Sequence, residues 1–183
     1  MRAVIGLGAN LGDRLGAMRS ALAEVGKIAR VEKVSRVYAT APVGGPPQPD
    51  YLNAAACVVF ESTAEDLLDA LLAIEARLGR VRAERNGPRT IDLDLLWIEG
   101  VVVQTDRLEV PHPRLKDRAF ALAPMQDVAP FATDPRTGEP YIIPPGGFVV
   151  VSDSLGGRSS FPVGGSGEAR PPLPPVPRSP SGA

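Results

Sequence analysis

The sequence predicts an α+β fold in which two helices lie on one face of a mainly antiparallel sheet, connected in split βαβ order. Two observations carry this. Hydrophobic spacing alternates between strand-like and helical in the order β-α-β, β-α-β and then a hairpin, and 183 residues supply too few alternating units for a doubly wound parallel sheet. A third observation divides the chain: half of its 20 prolines and 8 of its 19 glycines fall after Glu139, where only five charged residues occur. A single domain is therefore expected over residues 1–139. Residues 140–183 read as a Pro/Gly/Ser-rich, disordered tail without the apolar periodicity to offset its ordering entropy. A chain ending after Glu139 is expected to function without it.

Arg2 to Leu7 is a short apolar run ending in glycines, as a buried strand would. Leu15, Met18, Leu22 and Val25 recur at helical spacing, with Asn10 or Asp13 as the cap and Gly26 as the stop. Ile28 to Tyr38 carries four β-branched residues and reads as a strand. Four prolines and two glycines between Thr40 and Asp50 make a loop. Tyr51 to Phe60 is the next strand. Ser62 with Glu65 forms a capping box before the apolar helix face from Leu67 to Leu78, which Gly79 closes. Ile91 to Ile98 is a strand, Glu99-Gly100 a tight turn and Val101 to Gln104 its partner, with a short helix near Arg118 to Met125.

The net charge of −1 gives no basic field for a nucleic acid or an anionic membrane. No stretch approaches the roughly 20 apolar residues that span a bilayer, and the lone Cys57 has no internal partner. A cytoplasmic monomer acting on small molecules is the expectation.

In Ile91-Asp-Leu-Asp-Leu-Leu96, alternation sends Ile91, Leu93 and Leu95 one way and Asp92 and Asp94 the other, with Cα atoms about 6.5–7 Å apart. Two carboxylates at that spacing reach one small cation or bridge a pair, and Mg2+ suits a few carboxylates completed by waters and phosphates. An isolated Asp-x-Asp is usually just a wet sheet face. Here Arg77, Arg80, Arg82, Arg85 and Arg89 precede it against a single Glu84, and Gly87-Pro88 turns the chain into the strand. Unit charges 4 Å apart interact by about 4 kcal/mol at an effective dielectric of 20, so bare carboxylates repel a polyphosphate. Divalent ions between them, with arginine forks for the remaining oxygens, reconcile the two charge types. Gly6-Leu-Gly-Ala-Asn-Leu-Gly12 has neither dinucleotide-fingerprint spacing nor a P-loop lysine. His112, the only histidine, sits between prolines upstream of Arg118.

Five ordered strings, Gly8-Ala-Asn-Leu-Gly-Asp13, Tyr51-Leu-Asn-Ala-Ala55, Gly79-Arg-Val-Arg82, Gly87-Pro-Arg-Thr-Ile-Asp-Leu-Asp-Leu-Leu96 and Val110-Pro-His-Pro-Arg114, resemble the 6-hydroxymethyl-7,8-dihydropterin pyrophosphokinases of the folate pathway, from about residue 2 to residue 135. The resemblance implies a ferredoxin-like βαββαβ core with an added hairpin. It also implies transfer of the terminal diphosphate of ATP to the pterin hydroxymethyl oxygen, releasing AMP. By motif match, Asp92 and Asp94 would hold two Mg2+ ions. Arg80, Arg82, Arg89, His112 and Arg118 would contact the triphosphate, with Leu95 and Arg107 near the nucleotide. Asn53 and Phe120 would take the pterin, with Thr40, Pro42, Val43 and Tyr51 lining its pocket. Asn86 departs from the family's tryptophan in a lid loop. Two other readings stay open at this level, a nucleotide-binding regulator without turnover and a nucleic-acid-binding sheet. The second is disfavoured by nine aromatics in all, none within the basic segment.

Overall fold

The chain's structure, a computed structural model, describes residues 1–42, 47–80, 87–152 and 155. Its elements are β1 (Arg2–Ala9), α1 (Arg14–Ile28), β2 (Arg30–Val34), β3 (Val37–Thr40), β4 (Tyr51–Val59), α2 (Ala64–Arg77), β5 (Asp92–Ile98), β6 (Val103–Gln104), β7 (Glu109–Val110), a 3-10 turn (Leu115–Asp117), α3 (Ala119–Val128) and β8 (Val149–Ser152). The main sheet runs β5-β1-β4-β3-β8, β2 also pairs with β4, and every pairing is antiparallel. This is the expected split βαβ plan.

Two apolar clusters fill the two sheet faces. Ala3, Ile5, Leu7, Ala54, Ala56, Val58, Leu93 and Leu95 face α1 and α2, meeting Met18, Val25, Leu67, Leu71 and Ile74. On the other face Val4, Ala55, Cys57, Leu96 and Trp97 meet Leu122 and Met125 of α3. Leu96 and Trp97 share a face because the β1–β5 register shifts between Val4 and Ile5, and such a bulge resets the alternation of the strand. The third helix thus covers the surface that a two-helix sheet would leave bare.

Local predictions differ in several places, among them the expected strand Ile28 to Tyr38, whose first residue ends α1 and whose remainder is divided between β2 and β3 on different stretches of β4. Asp13 is the cap of α1, accepting from Gly16 N at 2.9 Å, and α1 runs past Gly26 until Ala29 N bonds Val25 O. Gly26 does not adopt a positive φ, so nothing there stops the helix. The α2 box is Thr63 with Asp66, the register that turns Leu67, Leu71 and Ile74 inward. The hairpin after Gly100, whose φ is 68°, joins Val103–Gln104 to Glu109–Val110 rather than back to β5.

Part of the stretch read as tail also packs on the domain: Tyr141 is buried and Val149–Ser152 adds to the open edge of β3. The physical reason is tertiary, since β3 offers unpaired backbone groups that a short valine run can satisfy. Arg19 Nε also donates to Leu155 O, with Leu155 1% exposed.

Candidate active site

Antiparallel register carries the acid pair to the cleft. Asp92 stands opposite Gly8 and Asp94 opposite Gly6 on β1, and Gly8 stands opposite Asn53 on β4. Cross-strand partners share a face, so both acids and Asn53 point to one side while Leu93 and Leu95 enter the core beneath α2. A Cβ on Gly8 would lie 3.6 Å from Asn53 Oδ1 and 3.7 Å from the Asp92 Cβ, ordinary contacts. Protein packing does not demand glycine there; its bareness keeps room between the amide and the acid.

That room belongs to a cleft of about 520 Å3. Its lining combines the charged or ionisable residues Asp92, Asp94, Arg89, His112, Arg114 and Arg118 with Thr40, Tyr51, Asn53 and Phe120. Within the second set Asn53 Nδ2 donates to Thr40 Oγ1 at 2.8 Å, and Tyr51 Oη lies 3.1 Å from both Gln48 Oε1 and Gly87 O. The Arg118 guanidinium lies 5.5 Å from the Phe120 ring centre, so the two sets touch.

Asp92 is already paired. Arg80 Nη1 meets Asp92 Oδ1 at 2.7 Å and Arg89 Nη1 meets Oδ2. Arg80 also pairs with Glu75, a 2% exposed carboxylate of α2 that accepts Leu93 N at 2.7 Å. β5 is a sheet edge, so the outward Leu93 N–H has no strand partner and Glu75 supplies one. At Leu96 the carbonyl accepts His112 N at 2.8 Å, which sets the histidine loop beside the acids.

Asp94 has no such partner among the described residues. Burial, then the nearby Asp92 charge, pushes its pKa up to about 6. A cation shared with Asp92 would relieve both causes. Among the described residues no group of three or more His, Cys, Asp or Glu gathers as a metal cage; two carboxylates with open cleft beside them is the donor set Mg2+ accepts when phosphates and water complete the shell. Burial, then Arg118 and Arg114, lowers the His112 pKa to about 4, so the imidazole is neutral at pH 7. Its Nδ1 accepts Arg114 N at 3.2 Å, leaving Nε2 to carry the proton. Burial, then Arg114, also lowers the Arg118 pKa.

Of the residues expected from the sequence, Thr40, Tyr51, Asn53, Arg89, Asp92, Asp94, His112, Arg118 and Phe120 come together in the cleft. Arg80 stands behind it on Asp92. Leu95 does not join: its side chain is 4% exposed in the opposite core. Arg107 is also elsewhere, exposed and paired with Asp69 of α2. Pro42 is half-buried outside the cleft lining. Val43, Arg82 and Asn86 lie outside the described residues.

Sequence reasoning missed Glu75, Arg114 and Asn10. Asn10, 1% exposed, accepts Arg89 N at 2.7 Å and donates to Gln48 Oε1 at 2.9 Å and Pro49 O at 3.1 Å. It therefore ties the strand entering the acid pair to the loop before Tyr51. Arg114 stood in a quoted motif without a role. The cleft wall formed by Pro145, Gly146 and Gly147 was read as tail.

Comparison with known proteins follows this geometry. The family model described as 7,8-dihydro-6-hydroxymethylpterin-pyrophosphokinase matches residues 4–130. The chain is 42% identical over 142 residues to a 2-amino-4-hydroxy-6-hydroxymethyldihydropteridine pyrophosphokinase of Synechocystis sp., covering 76% of this chain and 72% of that protein. It is 42% identical over 128 residues to the Bacillus subtilis protein of the same name, covering 69% and 77%. Against the folate synthesis bifunctional protein of Arabidopsis thaliana it is 40% identical over 161 residues, 85% of this chain and 29% of that one. The crystal structure of wild-type Plasmodium falciparum HPPK-DHPS shares the fold, with a TM-score of 0.62 at 13% identity, over 76% of this chain and 43% of the other.

Proposed function

The chain belongs to the 7,8-dihydro-6-hydroxymethylpterin-pyrophosphokinase family, and we propose that its cleft divides that reaction between a charged end for ATP and an aromatic-amide end for the pterin. It is an ATP-dependent pyrophosphokinase of folate biosynthesis. The hydroxymethyl oxygen attacks the β-phosphorus of ATP, the bond from that phosphorus to the α-bridging oxygen breaks, and AMP leaves. The hydroxyl proton must pass to a base.

The observation that carries this reading is the shared face of Asp92, Asp94 and Asn53 in one cleft that Arg89, His112, Arg118, Tyr51 and Phe120 also line. Asp92 and Asp94 would hold Mg2+, two ions in this proposal, which when bound neutralises phosphate oxygens and aligns them. Arg89 exchanges its Asp92 contact for a phosphate oxygen, and Arg80, held by Glu75, keeps the other side of Asp92 in place. His112 donates its Nε2 proton to a phosphate oxygen without carrying a charge. Arg118 and Arg114 supply the positive field for the diphosphate in transit. Arg82, Arg107 and Leu95 stay proposed nucleotide neighbours from the family likeness alone, as Val43 and Pro42 do for the pterin pocket. Asp94 is the base we assign, through a water, because among the described residues it is the cleft carboxylate of the pair that no arginine engages in an ion pair.

A flat heterocycle suits the other end. Phe120 and Tyr51 offer rings, and Asn53 keeps Oδ1 available to accept while its Nδ2 serves Thr40. A nucleic-acid role for the sheet is disfavoured because α3 covers the face that would stack bases. No described helix is long and apolar enough to cross a membrane, and a monomer is our proposal. Incubating the protein with ATP, Mg2+ and the reduced pterin should release one AMP per pterin diphosphate formed. Tight ATP binding without AMP would instead support a regulator that has kept the site.

A further inference from the structure

The family match ends at residue 130, yet Pro145, Gly146 and Gly147 form part of the cleft wall. We propose that residues 141–152 act as a strap that positions the pterin ring system, a substrate-positioning element beyond the residues that the family model matches. The proposal rests on the pterin assignment made above.

The strap is fastened on both sides of the cleft. Before it, Tyr141 is buried among the α3-side residues and its carbonyl accepts Gln126 Nε2 at 2.7 Å. After it, the Phe148 ring stands edge-on to Tyr38, with centres 5.4 Å apart, and Val149 and Val150 pair with Ala39 and Tyr38. Pro144 and Pro145 limit the freedom of the span between these points, which lowers the entropy lost on holding a substrate.

Its position selects the substrate it touches. At one end the span leads into the pairing with Ala39, the neighbour of Thr40, whose hydroxyl holds the Asn53 amide. At its other contact a Cβ on Gly146 would fall 2.6 Å from the Ala119 Cβ, next to Phe120. The two contacts adjoin Thr40 and Phe120, residues of the proposed pterin pocket, and on that ground the strap is assigned to the pterin rather than to ATP.

The test is steady-state kinetics on the full chain with each substrate varied in turn. Gly146→Ala must push the strap from Ala119, and KM for the pterin should rise about tenfold, with KM for ATP and kcat within about twofold. Removing the opposing methyl in Ala119→Gly/Gly146→Ala should bring KM back toward that of Ala119→Gly alone. Phe148→Ala, which loosens a fastening, should raise the same KM. Unchanged pterin KM in both single variants overturns the proposal, as do equal rises in both KM values with a lowered melting temperature, which would make the segment merely structural. A wild-type chain that releases no AMP sinks the reaction assignment and the strap with it. Wild-type turnover with insensitive variants sinks the strap alone.

Discussion

Replacing Asp94 by Asn separates what the acid does for the reaction from what it costs the fold. Burial and Asp92 raise the Asp94 pKa from 3.8 to about 6, and at 1.36 kcal/mol per decade this disfavours the folded, ionised protein by about 3 kcal/mol at neutral pH. The sign follows from proton binding. The folded state holds this proton more tightly than the unfolded chain, so the penalty is absent below pH 3.8, grows up to about 6, and is complete above it. Because the carboxylate still faces the cleft, water screens part of the effect, and Asp94→Asn should gain about 1–3 kcal/mol, or roughly 2–10 °C in Tm. Melts in chelator at about pH 7.5 should show this gain, and melts at about pH 4 should show almost none. Turnover should fall at least about a hundredfold. A variant no more stable at neutral pH, or stabilised equally at both, would refute the electrostatic reasoning, and near-normal turnover would remove Asp94 as the base.

Three further outcomes follow from the neighbours of the acids. His112, the single histidine, should titrate by NMR near 4 with its proton on Nε2; a midpoint of 6 or above would contradict the burial and arginine field that lower it. Its share of stability is full above an unfolded pKa of about 6.5 and is lost as pH falls toward 4, opposite in sense to Asp94, so the imidazole signal and not the melt is decisive. Glu75→Ala leaves the Leu93 N–H unanswered and should cost about 2–4 kcal/mol in urea unfolding, with Glu75→Gln losing less than half of that; equal losses would show that charge and not the amide contact matters. Asn10→Ala removes three hydrogen bonds and should cost about 2–3 kcal/mol while lowering kcat through Arg89. A variant as stable and active as wild type would reduce Asn10 to a bystander.

What was legible in the sequence was local. Alternation in Ile91–Leu96 is a property of consecutive residues, so the common face of Asp92 and Asp94 could be read directly, and the same parity already turned Leu95 away. Helix closure at Gly79 is equally local: its φ is 81°, which glycine adopts without strain. What depended on distant partners stayed hidden. Glu75 reads as one more polar helix residue until the edge of β5 is known, and Asn10 reads as a cap until Arg89 and Pro49 are beside it. Tyr141, Phe148 and Leu155 are too sparse to signal structure. Their placement depends on α3, β3 and α1 respectively, which no window around residue 145 contains.

The strand bearing the acids is the outermost of its sheet, and an outermost strand is ordinarily open to recruitment by another molecule's backbone. Here Glu75 occupies its Leu93 N–H and the histidine loop occupies its Leu96 carbonyl, so groups that arrange the site also guard against edge-to-edge aggregation. Damage to either contact should therefore surface as self-association during expression as readily as in a rate constant, and the soluble yield of Glu75 variants becomes a report on the integrity of the site.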